Sequence, residues 1–321
     1  MALWLSENEV DTILRENISE FVTRFDDAYR DEQTWDSRTR TRFETPFASY
    51  QYMGGVVPGE HVMGLKTYAA SRNSGFQGVV VLFDYESGNL LSVMGADVLG
   101  RWRTGAASAV AAKYFAKRDA VSFGLIGTGN QAVTQLAALK AVCNIAEVRA
   151  YSRDVERREA FCQKASENLG ISVEPADSAH EVVAASDIIA TVTSAREIVL
   201  QGSWIDHPCH INAVGANRAD QQELDTEVFK RADLVIVDNL EQAREECGDL
   251  ISAVRESKIG WDDVVSLRAA ITQNLAFGLK GGVTIFESQG LAAWDLVAAQ
   301  FVYSRGLERN LGIQVPLRSQ S

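Results

Sequence analysis

The chain has 321 residues, 46% apolar and 23% charged, with five prolines, a length that suits two folded domains and a composition that leaves little room for a disordered linker. A net charge of −12 argues against nucleic-acid or anionic-membrane partners, which need a basic surface to neutralise phosphates. Cys143, Cys162, Cys209 and Cys247 are widely spaced and form no CxxC pair, so reduced, buried thiols are expected rather than a disulfide framework or structural zinc.

Residues 1–5 are followed at once by Ser6-Glu7-Asn8-Glu9, a helix capping box rather than the end of a secretory signal. No stretch approaches the roughly 20 apolar residues that span a bilayer, and a cytoplasmic location is expected. Over 6–30 the apolar residues Val10, Ile13, Leu14, Ile18, Phe21, Val22 and Phe25 recur at helical spacing, which predicts one or two amphipathic helices. Short β-rich pieces follow between 39 and 83, and the run 79–83 meets 90–94 across Asp84-Tyr85-Glu86-Ser87-Gly88-Asn89, a hairpin signal. Arg103-Thr104-Gly105 then leads into an alanine-rich helix over 106–115, whose small residues permit close packing.

After Lys117 strand-like runs at 121–126, 147–151, 188–192, 211–214 and 234–237 alternate with helical stretches. That alternation predicts a buried parallel sheet covered by right-handed crossovers. A long helix beginning near Gly290 runs toward Leu307 and returns the chain to its first part. The expected fold is α/β: a doubly wound Rossmann domain over 118–299, inserted into an α+β domain formed by 1–117 and 300–321.

The strand 121–126 ends in Gly127-Thr128-Gly129-Asn130-Gln131-Ala132 and a helical run follows. Strand, glycine turn, helix and next strand arrive in the order a dinucleotide site requires. Gly127 permits the tight turn, Gly129 lets backbone approach the pyrophosphate, and Ala132 keeps helix and sheet close. The helix N-terminus offers free N–H groups to phosphate. An NAD site usually carries an acid at the end of the second strand, about 20 residues on. Here that strand ends Tyr151-Ser152-Arg153-Asp154. Ser152 and Arg153 suit a 2′-phosphate and favour NADP(H), while Asp154 keeps NAD(H) open. His61, His180, His207 and His210 show no spacing with an acid motif that would hold a metal, and there is no Gly-x-Ser-x-Gly elbow.

Six segments together resemble the ornithine cyclodeaminase/mu-crystallin family: Gly64-Leu65-Lys66, the stretch 103–114, Gly127 to Ala132, His210-Ile211-Asn212-Ala213-Val214-Gly215-Ala216, Gln222-Glu223-Leu224-Asp225, and Phe286-Glu287-Ser288-Gln289-Gly290. The resemblance covers nearly the whole chain. It implies a homodimer whose first domain dimerises and holds substrate, and a hydride passed between nicotinamide and the α-carbon of an amino or imino acid. It implies that Arg42, Lys66 and Arg103 grip the substrate carboxylate, with Lys66 and Arg103 as catalytic residues. Thr104, Gly127, Gly129, Asn130, Gln131, Ser152, Arg153, Val214, Gly215 and Ser288 are the implied cofactor residues, the last three at the nicotinamide end. Arginine holds a carboxylate through two parallel bonds, and Lys66 gains proton-donor character if burial and neighbouring arginines lower its pKa. Arg38 and Arg40 alternate with Arg42, so on one strand all three share a face and serve either a second carboxylate or an exposed edge.

One departure matters. Asn217 stands where cyclodeaminases of the family carry an aspartate, and an amide cannot do that proton work; Asp220 lies three residues on. Reduction of a small α-imino acid, of ketimine or iminosuccinate type, is therefore the expected activity, reversible as an amino-acid dehydrogenation. Ornithine cyclodeamination to proline and ammonia, and non-catalytic binding of a dinucleotide or small ligand in the manner of mu-crystallin, are the alternatives.

Overall fold

In the computed structural model, which describes residues 1–275 and 282–316, the chain forms two compact units, Met1–Arg103 with Gly290–Ser321, and Thr104–Gln289. The first opens with strand β1 (Ala2–Leu5) and helices α1 (Glu7–Glu16) and α2 (Ile18–Arg30). Ser6 caps α1 in a reciprocal box: its hydroxyl accepts from the Glu9 N–H, and the Glu9 carboxylate accepts from the Ser6 N–H at 2.8 Å, which satisfies amides a helix start leaves open. Strands β2 (Asp36–Ser37), β3 (Thr41–Glu44), β4 (Ala48–Val57), β5 (Val62–Ser71), β6 (Gly75–Asp84) and β7 (Leu90–Gly95) follow. The 79–83 and 90–94 runs pair as the expected hairpin.

Helix α3 spans Asp97–Phe115 and so begins well before the alanine-rich stretch. Leu99, Trp102, Ala106 and Val110 are all buried, a stripe at helical spacing that Gly100 disguises in the sequence. Arg103 therefore sits inside this helix rather than ahead of it. The seams between units fall at Arg103/Thr104 and Gln289/Gly290, where the sequence reading set them at 117/118 and 299/300.

The second unit runs β8 (Ser122–Ile126), α4 (Asn130–Val142), β9 (Glu147–Tyr151), α5 (Val155–Leu169), β10 (Val173–Pro175), α6 (Ala179–Ala184), β11 (Ile188–Thr191), β12 (His210–Ala213), α7 (Thr226–Arg231), β13 (Ala232–Val237), α8 (Leu240–Glu246), α9 (Gly248–Arg255), β14 (Val264–Ser266), α10 (Leu267–Thr272) and β15 (Val283–Glu287). Among the described residues its eight strands are all parallel, in the order β10-β9-β8-β11-β12-β15-β13-β14. Alternate residues feed two cores: Phe123, Leu125, Ile188 and Ala190 enter one, Ile126, Ile189, Ile211 and Ala213 the other. A doubly wound sheet buries both faces in this way. Three strands escaped the sequence reading. β10 and β14 have three residues each, and Thr284 and Glu287 interrupt the apolar run of β15.

The chain returns to the first unit as α11 (Ala292–Glu308) and β16 (Ile313–Val315), giving a sheet ordered β16-β1-β7-β6-β5-β4-β2 with β3 on β4. Helix α11 lies on β4, β5 and α2. Trp294 of α11 and Tyr29, Phe21 and Phe25 of α2 are the largest fully buried side chains of this unit.

The second unit also buries acids. Asp249 accepts the N–H of Glu223 at 2.8 Å and of Leu224 at 2.9 Å through one oxygen. Burial, and then the Glu223 charge, push its pKa up, and burial followed by the Asp249 charge pushes Glu287 far up. A carboxyl raised in the folded state contributes stability that is complete below the ordinary carboxylate range and is lost as pH climbs to the raised value. Asp249→Asn keeps the acceptor and removes the titration. Its melting temperature should fall less than that of the wild type between about pH 4 and about pH 8, as measured by thermal denaturation across that range.

Candidate active site

The first unit brings Lys66 and Arg103 onto one acid. Lys66 Nζ lies 3.3 Å and Arg103 Nε 3.0 Å from the same oxygen of Asp295, Oδ1, and all three side chains are buried. Lys66 reaches this place because it alternates inward on β5. A β-carbon on Gly100 of α3 would lie 2.7 Å from its Nζ, so a larger residue there would push the ammonium aside. Arg103 is fixed by packing as well as charge, since its guanidinium lies 5.5 Å from the centre of the Trp294 ring, a cation–π distance. The Trp294 indole N–H donates to the Tyr29 hydroxyl at 2.6 Å.

Burial is the main reason the Lys66 pKa is lowered, to about 8. Asp295 works against that shift, while the charges of Arg103 and Arg40 add to it. Tyr68 and Phe76, their rings stacked at 4.6 Å, stand 5.7 and 5.9 Å from Lys66 Nζ. The Tyr68 hydroxyl donates to Gln51 at 2.7 Å. Arg42 on β3 is paired across the sheet with Gln51, and Gln51 lies two residues from Met53, the partner of Lys66; directly opposed residues share a face, so Arg42 is on the Lys66 face.

The three flanking arginines do not form the alternating row expected of them. Residues 38–40 lie outside any strand, and Arg38 is an exposed residue paired with Asp36 at 3.1 Å. Asp295, Tyr68 and Phe76 were missed in the sequence because no motif marks them; Asp295 is 229 residues from Lys66.

In the second unit most of the implied cofactor residues lie along one edge, the carboxyl ends of the parallel strands. Ser152 follows β9, Gly127 follows β8, Val214 and Gly215 follow β12, and Ser288 follows β15. At about 4.8 Å per strand, β9 to β15 covers roughly 19 Å, the reach of an extended dinucleotide. Strand order reverses between β8 and β11, the switch point where ligands bind in such sheets.

Gly127 has φ +112°, and a β-carbon there would lie 2.8 Å from the Val192 carbonyl oxygen. Gly129 is the N-cap of α4, supplies no side-chain cap, and faces open space where a β-carbon would be. The free amides and uncrowded backbone fit a pyrophosphate. Asn130 and Gln131 form the first turn of α4. Thr128 ties the loop to the next strand end by donating to Ser152 Oγ at 2.8 Å. Thr104 is buried in α3.

Beside Ser152, Arg153 is exposed. The Asp154 carboxylate instead caps α5 by accepting the Arg157 N–H at 3.0 Å. Arg158, absent from the sequence reading, is buried, donates to the Ser152 carbonyl at 3.2 Å and lies 5.6 Å from the Tyr151 ring centre. At the other end of the edge, Glu223 accepts from the Thr193 N–H at 2.7 Å and the Gly215 N–H at 2.8 Å. It thereby joins the loops after β11 and β12. Among the described residues no group of three histidine, cysteine or carboxylate side chains could hold a metal ion.

Fold and site define an α/β protein whose second unit is a dinucleotide-binding unit of Rossmann type and whose first carries a buried cationic cluster. Residues 8–310 match the sequence profile of the ornithine cyclodeaminase/mu-crystallin family, and the chain belongs to that family. It is 38% identical to the alanine dehydrogenase of Archaeoglobus fulgidus over 80% of this chain and 77% of that one. It is 32% identical to a Delta(1)-pyrroline-2-carboxylate reductase of Bacillus cereus over 98% and 99%. The iminosuccinate reductase of Paracoccus denitrificans, solved in complex with NAD+, superposes with a TM-score of 0.90 at 26% identity, covering 98% of this chain and 99% of that one.

The positive φ of Gly127 and its contact with Val192 yield a prediction. Gly127→Ala should weaken dinucleotide binding by at least about tenfold, about 1.4 kcal/mol, and should destabilise the fold by about 1–3 kcal/mol. Fluorescence titration with NADH and NADPH and chemical denaturation check the two effects.

Proposed function

We propose that this chain is a nicotinamide-dependent oxidoreductase that reduces the C=N bond of a small α-imino acid to the L-amino acid and runs in reverse as an amino-acid dehydrogenase. The observation that carries this reading is Lys66, buried beside Arg103 and held near neutral pKa. A lysine at about 8 is largely protonated at neutral pH yet able to give its proton away, which is what a general acid needs. Bound dinucleotide supplies the hydride that the imine carbon accepts.

The chain's own residues do the rest. Arg103 has its Nε on Asp295, which leaves the paired Nη groups as the natural grip for a substrate carboxylate. Arg42 adds charge from the Lys66 face, and Arg40 from close by. Lys66 donates the proton to the substrate nitrogen. Two buried cations against one buried acid leave a single positive charge, the complement of one carboxylate.

NADP(H) is favoured over NAD(H), since the one acid at the end of β9 is engaged in capping α5 and Ser152 and Arg153 stand ready for a 2′-phosphate. Cyclodeamination is disfavoured by Asn217, and Asp220 is an exposed residue paired with Arg218 at 3.3 Å. A non-catalytic binder has no use for a lysine whose proton is poised near neutrality. The first unit carries an exposed aromatic row on its sheet, Phe43, Tyr50 and Tyr52, with ring centres 5.9–6.3 Å apart; such a patch suits a homodimer contact. No helix among the described residues is long and apolar enough to cross a membrane, in keeping with the cytoplasmic location we favour.

The test is oxidation of NADPH and NADH with cyclic imines and with ammonia plus pyruvate, glyoxylate or oxaloacetate. Reduction should fall as pH rises through about 8, where Lys66 loses its proton. Lys66→Met should cost about 10²–10⁴ in kcat. Ammonia release from ornithine without imine reduction would replace this reading with cyclodeamination. Arg153→Ala should raise the KM for NADPH about tenfold or more while leaving that for NADH nearly unchanged, because only the former loses a charge-assisted bond.

A further inference from the structure

The role of Asp295 is not exhausted by its two cationic partners. Its side chain is fully buried and its Oδ1 carries both the Lys66 and the Arg103 bonds, while its Oδ2 is buried with no hydrogen-bond partner. Buried carboxylate oxygens almost always have a donor, and one without a protein donor marks the place of a ligand or water. The carboxylate sits in the first turn of α11, a helix of 17 residues, where the helix dipole favours negative charge.

We propose that Asp295 recognises the nitrogen of the substrate, with Oδ2 accepting a hydrogen bond from the protonated imine or ammonium group while Oδ1 holds Lys66 and Arg103. This rests on the reading of the Lys66–Arg103 cluster as the seat of an amino or imino acid. The spacing agrees with the ligand's chemistry. The carboxylate and nitrogen of an α-amino acid are joined through one carbon, and Arg103 and Asp295, the groups that would receive them, are hydrogen-bonded neighbours at 3.0 Å.

Two consequences follow. The protonated imine, which accepts hydride far more readily than the neutral one, is stabilised beside a carboxylate in a dry site. A keto acid, or any acid lacking the nitrogen, leaves Oδ2 without a donor and is rejected, as sites built to bond a polar group reject analogues that lack it. Asp295 would thereby select C=N over C=O.

The experiment compares, in the intact protein with oxidised dinucleotide present, the affinity for L-alanine, L-proline and L-aspartate with that for their nitrogen-free counterparts propionate, tetrahydrofuran-2-carboxylate and succinate. The wild type should hold its preferred amino acid at least about tenfold more tightly than the counterpart. Asp295→Asn keeps an oxygen for Lys66 and Arg103 but can place an N–H where Oδ2 stood. It should bring that ratio to about one by weakening the amino acid, with the counterpart bound within about threefold of wild type.

Equal loss of both ligands would reduce Asp295 to a structural role and overturn the proposal. An unchanged ratio in a variant that still reduces an imine would overturn it while leaving the reductase reading intact. A wild type that binds no amino acid and reduces no imine would remove both. If Asp295→Asn does not fold, a crystal structure of the wild type with dinucleotide and L-amino acid decides the matter. The ligand nitrogen within hydrogen-bond distance of Oδ2 supports the assignment, and a nitrogen bonded elsewhere refutes it.

Discussion

Taking charge out of water is the constraint on which the first unit turns. Each ion moved into a protein interior costs several kcal/mol even after relaxation, and removing one partner of a buried pair commonly costs about 3–5 kcal/mol. Lys66 and Arg103 meet that cost through one oxygen of Asp295. The local structure is arranged around them: a glycine in α3 where the lysine ammonium arrives, an indole under the guanidinium, and a phenol holding the indole in turn. Desolvation still outweighs the attraction of Asp295 at Lys66, which is how a residue that is ordinarily a permanent cation becomes an acid of use near neutrality.

The second unit depends on a different chain of bonds. Asp249 holds the backbone N–H of Glu223, and the Glu223 carboxylate holds the N–H groups of Thr193 and Gly215. The loops after β11 and β12 are thus tied to a buried acid as well as to one another, through the Val199 and Leu200 N–H groups on the Glu223 carbonyl. Packing alone would leave these loop amides without acceptors, and buried donors without acceptors are costly. The same edge begins at Gly127, whose backbone conformation is open only to glycine. The surface offered to a dinucleotide is therefore set by one glycine turn and one buried carboxylate.

Much of this was readable from local pattern. The Ser6 box, the glycine loop with its flanking strand and helix, and the alternation after Lys117 each rest on contacts between residues near in sequence, where period and capping chemistry speak directly. What was hidden depends on distant partners. Asp295 lies in an alanine-rich helix that reads as core, and its meaning comes from Lys66 and Arg103, 229 and 192 residues away. Arg158 reads as one more charge on a polar helix until it is found buried against Tyr151. Strand β15 was lost because a threonine and a glutamate break its apolar run, and both are buried in networks of their own: Thr284 donates to the Phe115 carbonyl at 3.1 Å, and Cys247 Sγ approaches Glu287 at 3.4 Å.

The two units answer burial of charge in opposite ways, and the difference fits their tasks. In the second, burial raises the pKa of Glu223, Asp249 and Glu287, and Glu223 and Asp249 serve as acceptors that hold loop amides. In the first, basic and acidic side chains are set against each other at bonding distance. A cluster of two basic side chains on one acid, with one carboxylate oxygen unoccupied by protein, is complementary to a molecule bearing both a carboxylate and a protonated nitrogen. Burial that is merely tolerated in one unit is thus the source of recognition in the other.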